Sequence, residues 1–486
     1  MSDEQQPDAA APPAPTPEQV AGVEVLAGLE FTPDERALLL EGLAEQRAAY
    51  AQIRAVPLPN SVPPALVFDP RLPGTAPAPA PASKEASKAA AAVATPPAPP
   101  ADLEDLAFAP VTALAALLRG GQVTSVALTE MYLARLRRYD PLLHCVVTLT
   151  EERALAQARQ ADAEIAAGQW RGPLHGIPWG AKDLLATRGI PTTWGATPYR
   201  DQVIDEDATV VARLDAAGAV LVAKLSLGAL AWGDVWFGGM TRNPWNPEDG
   251  SSGSSAGPGA AVAAGLVGFA IGTETWGSIV SPCTRCGVTG LRPTFGRVSR
   301  HGAMALSWSM DKIGPMCRSV EDCALVFAAI YGPDGLDGTV VNAPFPWPVR
   351  PILADLRIGY VEAAFAEERE DKALDDAVLA VLRDLGADLI PIRLPDYPVE
   401  ALSFILNAEA AAAFDDLTRS NRDDLLERQV KDAWPNAFRQ ARLIPAVEYI
   451  QANRVRTLIM QAMARLMAGI DVYVAPSYGA NNLLLT

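Results

Sequence analysis

Apolar residues in the middle of the chain alternate between helical spacing and short continuous runs. Segment 125–136 has apolar residues three and four positions apart, which predicts a helix capped by Thr124. Further helices are predicted over 151–167 and 209–217. The second of these is followed at once by the apolar run 219–223, which predicts a strand buried on both faces. This succession is typical of α/β proteins.

Two of the short apolar runs end in a lysine. Segment 176–183 is predicted to be a buried strand that places Lys182 at a site, and Lys224 directly follows the buried strand described above. A lysine in apolar surroundings loses its charge readily, because burial disfavours the ammonium ion. Both lysines are therefore candidate bases. Further strands are predicted over 356–361 and 388–391.

The N-terminal part of the chain differs in composition from the rest. Residues 1–20 are polar and rich in proline, which predicts disorder. A threonine–proline start followed by two acids predicts a helix over 32–55. Segment 71–101 is a proline- and alanine-rich linker that is expected to stay semi-extended. We therefore predict a non-catalytic appendage over 1–101 and a globular domain over 102–486.

Length and charge exclude some classes of function. The chain has 486 residues, about half of them apolar, which is enough to bury a large core. Its formal net charge of −17 and pI near 4.7 argue against direct binding to nucleic acid, because an acidic surface repels phosphates. The sequence shows no transmembrane span, and its acidic N-terminus does not resemble a secretory signal. We therefore expect a cytoplasmic protein that does not bind membranes.

The cysteines predict neither disulfides nor a metal site. Five cysteines in a chain of this length do not form a disulfide framework. Cys283 and Cys286 have CxxC spacing, but a zinc site would require a second pair or nearby histidines. The three histidines are scattered at positions 144, 175 and 301. We expect reduced thiols packed in the core.

Segment 250–291 combines small residues with clusters of hydroxyl side chains. It lacks the lysine of a GxxxxGK[ST] phosphate loop and the spacing of a GxGxxG dinucleotide loop, and no GxSxG elbow surrounds Ser278. A flexible linker would not be followed by alternating apolar segments. The pattern favours an anion or oxyanion pocket built from backbone N–H groups. A serine nucleophile there needs a base, and Ser–Lys pairs are known, but these residues alone do not choose between Lys182 and Lys224.

Several motifs in a fixed order resemble those of one enzyme family. Segment 253–316 carries GSSAGPG, ETWGSI, GLRPTFGRVS and DKIGPM, and segment 174–183 carries LHGIPWGAKD. These motifs are similar to those of the amidase signature family, over a stretch from about residue 106 to the C-terminus. The resemblance implies an α/β fold: one large domain with a twisted mixed β-sheet covered by helices on both faces.

The resemblance also implies a catalytic set. Lys182 matches the family's base, Ser254 matches the relay serine, which follows a cis peptide bond in this family, and Ser278 matches the nucleophile. The separation of 24 residues between the two serines agrees with the family's spacing, and the match at position 182 favours Lys182 over Lys224. Four backbone N–H groups are implied to form the oxyanion hole, those of Thr275, Trp276, Gly277 and Ser278.

The sequence departs from the family pattern at several positions. Glu274 stands where aspartate is common. Trp276 stands where glycine is common, so its ring either walls the acyl pocket or faces away into the core. Ala256 and Pro258 replace a glycine and a serine, which stiffens the loop. The chain also ends soon after the apolar segment 471–478, where family members continue, and we expect an exposed sheet edge there.

The function implied by the resemblance is amide hydrolysis. A carboxamide C–N bond would be cleaved to a carboxylate and ammonia or an amine through a serine acyl-enzyme, without metal or cofactor. Two alternatives stay open: the glutaminase (A) subunit of a tRNA-dependent amidotransferase, and a truncated relative without catalytic activity. The expected partner is a small-molecule amide, with no direct contact to nucleic acid or membrane. A homodimer is left open.

Overall fold

The computed structural model describes residues 14–59, 62, 64–66, 102–347, 352–368 and 372–477. The linker predicted over 71–101 lies outside the described residues. The described helices and strands fall into two compact units.

The α-helices, numbered in chain order, are α1 Pro17–Ala27, α2 Pro33–Ala55, α3 Val111–Arg119, α4 Ser125–Leu143, α5 Glu151–Ala166, α6 Thr209–Ala216, α7 Ala256–Ala263, α8 Val280–Cys286, α9 Val320–Ile330, α10 Glu362–Ala366, α11 Lys372–Asp384, α12 Phe404–Ala413, α13 Asp415–Arg419, α14 Trp434–Ala441 and α15 Ala446–Met467. The 3-10 helices are Leu103–Leu106, Thr197–Tyr199, Ala229–Ala231, Leu353–Asp355, Glu400–Ser403 and Arg422–Leu425. The strands are β1 Val146–Leu149, β2 Pro178–Lys182, β3 Val220–Leu225, β4 Val235–Trp236, β5 Gly239–Met240, β6 Arg242–Asn243, β7 Asn246–Gly250, β8 Phe269–Glu274, β9 Thr289–Gly290, β10 Lys312–Cys317, β11 Ile358–Val361, β12 Leu389–Ile392 and β13 Val472–Val474.

Most of the elements predicted from the apolar pattern are present. The helices α2, α4, α5 and α6 begin and end within two residues of their predictions, apart from the longer C-terminal end of α4. The prediction of disorder over 1–20 is wrong for residues 17–20, which begin α1. The reason is a capping box: Gln19 N donates to Thr16 Oγ1, and Thr16 N donates to Gln19 Oε1.

A six-stranded mixed sheet forms the centre of one unit, in the order β1-β3-β2-β8-β10-β9. Strand β2 pairs in parallel with both β3 and β8, whereas β1 and β10 pair antiparallel with their neighbours. Every residue of β2 and β3 is buried, so both faces of these strands are covered. The predicted α/β class with a mixed sheet is therefore confirmed.

A smaller parallel sheet in the same unit has the order β12-β11-β13. Helices α10 and α11 lie between β11 and β12 in the chain, as expected for parallel neighbours. Strand β13 is an outer strand of this sheet in the described part of the chain, and residues 478–486 beyond it are outside that part. The exposed edge expected near 471–478 stays a prediction.

The other unit joins the described residues of Met1–Val67 to Pro395–Asp424 and Arg428–Arg465. Its helix α2 buries Leu39 and Leu43 in a cluster that includes Val20. Tyr50 packs edge-on against Phe404 with ring centroids 5.3 Å apart. The N-terminal helices thus pack on a late part of the chain. The boundary predicted at residue 101 remains a prediction.

Within the described residues, no helix is both long and apolar enough to cross a membrane.

Candidate active site

Lys182 ends strand β2, and its side chain is fully buried. Its Nζ lies 2.8 Å from Ser254 Oγ and 3.0 Å from Ser255 Oγ. It also lies 2.9 Å from Thr273 Oγ1 and 3.3 Å from the Thr273 carbonyl oxygen. All of these partners are uncharged, and Lys182 forms no ion pair with a carboxylate of the described residues. The amine is therefore held by hydroxyl and carbonyl oxygens alone.

Burial lowers the pKa of Lys182 well below the ordinary lysine value, because the charged ammonium ion loses its hydration. The negative charges of Asp311 and Glu274 oppose this shift, but more weakly. A neutral amine next to a hydroxyl can accept its proton. The predicted base therefore has the electrostatic environment that its role requires.

Ser254 follows a cis peptide bond from Gly253 and precedes helix α7. Its side chain is almost fully buried. The small residues of helix α7, which follows Ser254, allow close packing against the residue after β3. A Cβ at Gly257 would lie 2.5 Å from the backbone nitrogen of Ser226, so a larger residue would push the segment away.

Ser278 is half-buried in the loop 275–278, between strand β8 and helix α8. Its carbonyl oxygen accepts the backbone N–H of Ser255 at 3.1 Å, so the two serine-bearing loops are in contact. Its hydroxyl has no hydrogen-bond partner among the described residues. The structure thus joins Lys182 to Ser254 but does not join Ser254 to Ser278. Such catalytic hydrogen bonds often tighten only when substrate binds.

The N–H groups of loop 275–278 are the predicted oxyanion hole. They donate no hydrogen bond to any residue that the structure describes. Gly277 has a φ of 89°, a conformation that favours glycine. Backbone donors left open in this way suit a negatively charged oxygen. Trp276 is half-buried, and both alternatives for its ring stay open.

Glu274 holds both ends of this loop together. Its Oε2 accepts the backbone N–H groups of Ile279 and Val280, each at 2.9 Å. Its Oε1 lies 3.3 Å from Arg292 Nη1. The fully buried carboxylate therefore fixes the chain directly before and after residues 275–278. In the sequence, Glu274 stood out only as a departure from the family pattern, and this role was not predicted.

Asp311 connects the loop to a second segment. Its Oδ1 accepts the Thr275 hydroxyl at 2.6 Å, and its Oδ2 accepts the N–H groups of Leu306 and Ser307 at 2.8 and 2.9 Å. Lys312 Nζ donates to the Thr275 carbonyl oxygen at 3.3 Å. Burial raises the pKa of Asp311. Both residues belong to the DKIGPM motif, whose presence was the available signal.

Lys224, the rival candidate base, forms a buried ion pair. Its Nζ lies 2.8 Å from Asp183 Oδ1 and 2.9 Å from Thr192 Oγ1. The other carboxylate oxygen of Asp183 accepts the N–H and the hydroxyl of Thr193. Lys224 therefore has a charged partner, whereas the partners of Lys182 among the described residues are uncharged.

The five cysteines are free and buried, which confirms that they pack in the core. Burial raises the pKa of Cys145, Cys283 and Cys317 well above the ordinary thiol value. In the part of the chain that the structure describes, no cluster of histidine, cysteine and carboxylate side chains could hold a metal ion.

A cavity of about 250 Å³ adjoins loop 275–278. Its wall includes Thr273, which contacts Lys182, and Thr275 of the loop. The side chain of Ser278 does not line this cavity. The cavity therefore lies beside the candidate site, next to strands β8 and β10.

Comparison with known families now identifies the class. The family model described as Amidase matches residues 127–485. The chain therefore belongs to the amidase signature family, as its motifs indicated.

Individual relatives show the same similarity. The chain is 39% identical over 390 residues to the A subunit of the glutamyl-tRNA(Gln) amidotransferase from Roseiflexus sp. (strain RS-1), covering 74% of this chain and 80% of the relative. The corresponding subunit of Geobacter metallireducens is 36% identical over 389 residues, with the same coverage. The crystal structure of the peptide amidase from Stenotrophomonas maltophilia matches with a TM-score of 0.68 and 29% identity, covering 79% of this chain and 89% of the amidase.

Proposed function

We propose that this protein is an amidase that hydrolyses a carboxamide through a serine acyl-enzyme. Ser278 is the nucleophile, Ser254 the relay and Lys182 the base. The observation that carries the proposal is the 2.8 Å contact between Lys182 Nζ and Ser254 Oγ, made by a fully buried amine. Burial keeps the pKa of that amine low, so it is available as a proton acceptor.

The proposed reaction proceeds in two halves. Neutral Lys182 takes a proton from Ser254, which takes the proton of Ser278 as this oxygen attacks the amide carbon. The N–H groups of loop 275–278 stabilise the negative charge on the carbonyl oxygen. The proton returns through Ser254 to the leaving nitrogen, and ammonia or an amine departs. Water then attacks the ester to release the carboxylate and restore Ser278.

A serine-directed fluorophosphonate probe tests this proposal. Wild-type protein should be labelled, and Ser278→Ala should not. Ser281→Ala is a matched control, because Ser281 lies in the adjacent helix α8 and bonds Ser252 Oγ, away from Lys182. It should be labelled normally. Absence of labelling in folded wild-type protein would support the alternative of a relative without catalytic activity.

A second candidate is the glutaminase subunit of an amidotransferase. The observation that favours it is the 39% identity to the Roseiflexus subunit over 74% of this chain. Ammonia release from glutamine and from uncharged amides should be measured side by side. Preference for glutamine, with stimulation by added amidotransferase partner subunits, would favour the second candidate. A cytoplasmic location and a homodimer stay proposals.

A further inference from the structure

We propose that the cavity beside the catalytic loop binds the acyl group of an uncharged amide, and that this group is an aromatic ring on a short alkyl chain. The inference rests on the proposed amidase function and names its substrate class. Three properties of the cavity support it: its position, its size and the pairing of the charges in its wall.

Position links the cavity to the reacting groups. Thr273 lines it and also contacts Lys182 Nζ at 2.9 Å, and Thr275 lines it and belongs to the predicted oxyanion hole. A group seated in the cavity would therefore contact Thr273, a direct neighbour of the base, and the loop that would hold the carbonyl oxygen. The acyl group of the substrate includes this carbonyl, so it is the acyl group that would enter the cavity.

Size and lining favour a ring with a short linker. The cavity has a volume of about 250 Å³, and the larger part of its wall is apolar, with Met304, Leu306 and Trp308 among its bulky members. An apolar cavity of ~150 Å³ is enough for a benzene molecule. The additional space is sufficient for a chain of two or three methylene groups.

The charged side chains of the wall have partners within the protein. Arg300 Nε lies 3.0 Å from Asp337 Oδ2, and Arg300 Nη1 donates to the Trp308 carbonyl oxygen. Asp311 accepts three hydrogen bonds, and Lys312 donates to two carbonyl oxygens. His301, which carries a charge only when protonated, has its Nε2 3.8 Å from Glu206 Oε2, and its buried Nδ1 has no hydrogen-bond partner among the described residues.

These pairings disfavour a charged substrate. An α-ammonium or α-carboxylate group entering the cavity would lose hydration without gaining a counter-ion that is not already engaged. Burying such a charge is costly. The wall therefore selects against amino-acid amides, including glutamine, and favours neutral amides.

Binding to the Ser278→Ala variant tests the inference without catalysis. Phenylpropanamide and phenylalaninamide share the ring and the carboxamide, but the second adds an ammonium group at a pH where its amine is protonated. Calorimetry should show binding of phenylpropanamide that is tighter by a factor on the order of 100. Met304→Ala, combined with Ser278→Ala, should weaken that binding roughly tenfold, because ring contacts are lost. Met460→Ala is the matched control, since Met460 is 54% exposed and should have no effect.

The outcomes separate this inference from the proposed function. Fluorophosphonate labelling of wild-type protein and of Met304→Ala decides the function and shows that the altered site is intact. If labelling is normal but both amides bind equally, or phenylpropanamide does not bind, or Met304→Ala has no effect, the substrate class is wrong while the function stands. If phenylpropanamide binds as expected but labelling fails, the cavity is assigned correctly and the catalytic proposal is wrong.

Discussion

Lys224 Nζ lies 2.8 Å from Asp183 Oδ1, and both side chains are fully buried. Burial lowers the pKa of Lys224, but the carboxylate of Asp183 favours its charged form. Lys182 has no such partner among the described residues, and its neighbours are uncharged oxygens. Two lysines that follow similar apolar runs therefore have different electrostatic surroundings. This difference supports the proposal that Lys182, and not Lys224, acts as the neutral base.

Removal of the base should abolish most activity. Lys182→Met is expected to lower kcat/KM by about 10²–10⁴-fold, the range of general-base catalysis. In wild-type protein, kcat/KM should rise with pH as the Lys182 ammonium loses its proton, and then level off. Because burial lowers the pKa of this group, the rise should lie well below pH 10.5. A pH–rate profile checks this, and an unchanged rising limb in Lys182→Met would contradict it.

Two neighbouring serines allow a matched comparison of the relay. Ser254→Ala should lower kcat/KM by about 10²–10⁴-fold, because the proton path to Lys182 is cut. Ser255 also contacts Lys182, but its hydroxyl donates to the Thr273 carbonyl oxygen at 3.0 Å. Ser255→Ala should therefore cost less activity and more stability. Steady-state kinetics and thermal unfolding distinguish the two, and equal kinetic losses would contradict the assignment of Ser254.

The carboxylate of Glu274 should hold loop 275–278 in the position that the proposed reaction needs. Glu274→Asp shortens the side chain by one methylene, so it cannot reach Ile279 and Val280 from the same backbone position. We expect kcat to fall by roughly ten- to a hundredfold, in line with ~1.5–3 kcal/mol for a hydrogen bond to a charged group. Glu274→Gln keeps an acceptor and should lose less. Steady-state kinetics of both variants measure this. A larger loss in Glu274→Gln than in Glu274→Asp would show that the reach of the side chain is not what matters.

The Lys224–Asp183 pair should behave as a structural unit. Lys224→Met alone leaves a buried carboxylate without its counter-ion and should lower the free energy of unfolding by about 3–5 kcal/mol. The double variant with Asp183→Asn should recover part of this loss, since both charges are gone. Denaturant unfolding of the two single variants and the double variant measures the coupling. Additive effects of the two substitutions would show that the pair is not coupled.

The strand that carries Lys182 and its neighbour β3 were predictable, because their apolar patterns are local. The elements around the two serines, α7, β8, α8 and β10, were not predicted. Lys182 was located at the end of a buried strand from this pattern alone. The choice against Lys224 required the family motifs, since the partner of Lys224 is 41 positions earlier in the chain. No local pattern records which buried lysine has a carboxylate within 3 Å.

Other features depended on contacts between distant segments. The contact of Asp311 with Thr275 joins residues 36 positions apart, and the packing of Tyr50 on Phe404 spans most of the chain. The capping box at Thr16 was visible in sequence, but the proline-rich composition around it obscured the signal. Composition averages over a window, whereas a helix cap depends on two side chains.

The interior position of all five thiols offers a practical tool. A thiol-reactive dye should modify the native protein slowly and the opened protein quickly at Cys145, Cys283 and Cys317, since burial raises the pKa of these thiols in the folded state. Modification rates at Cys145, next to β1, and at Cys283, in α8, would therefore report the local opening of two separate regions, without any engineered label.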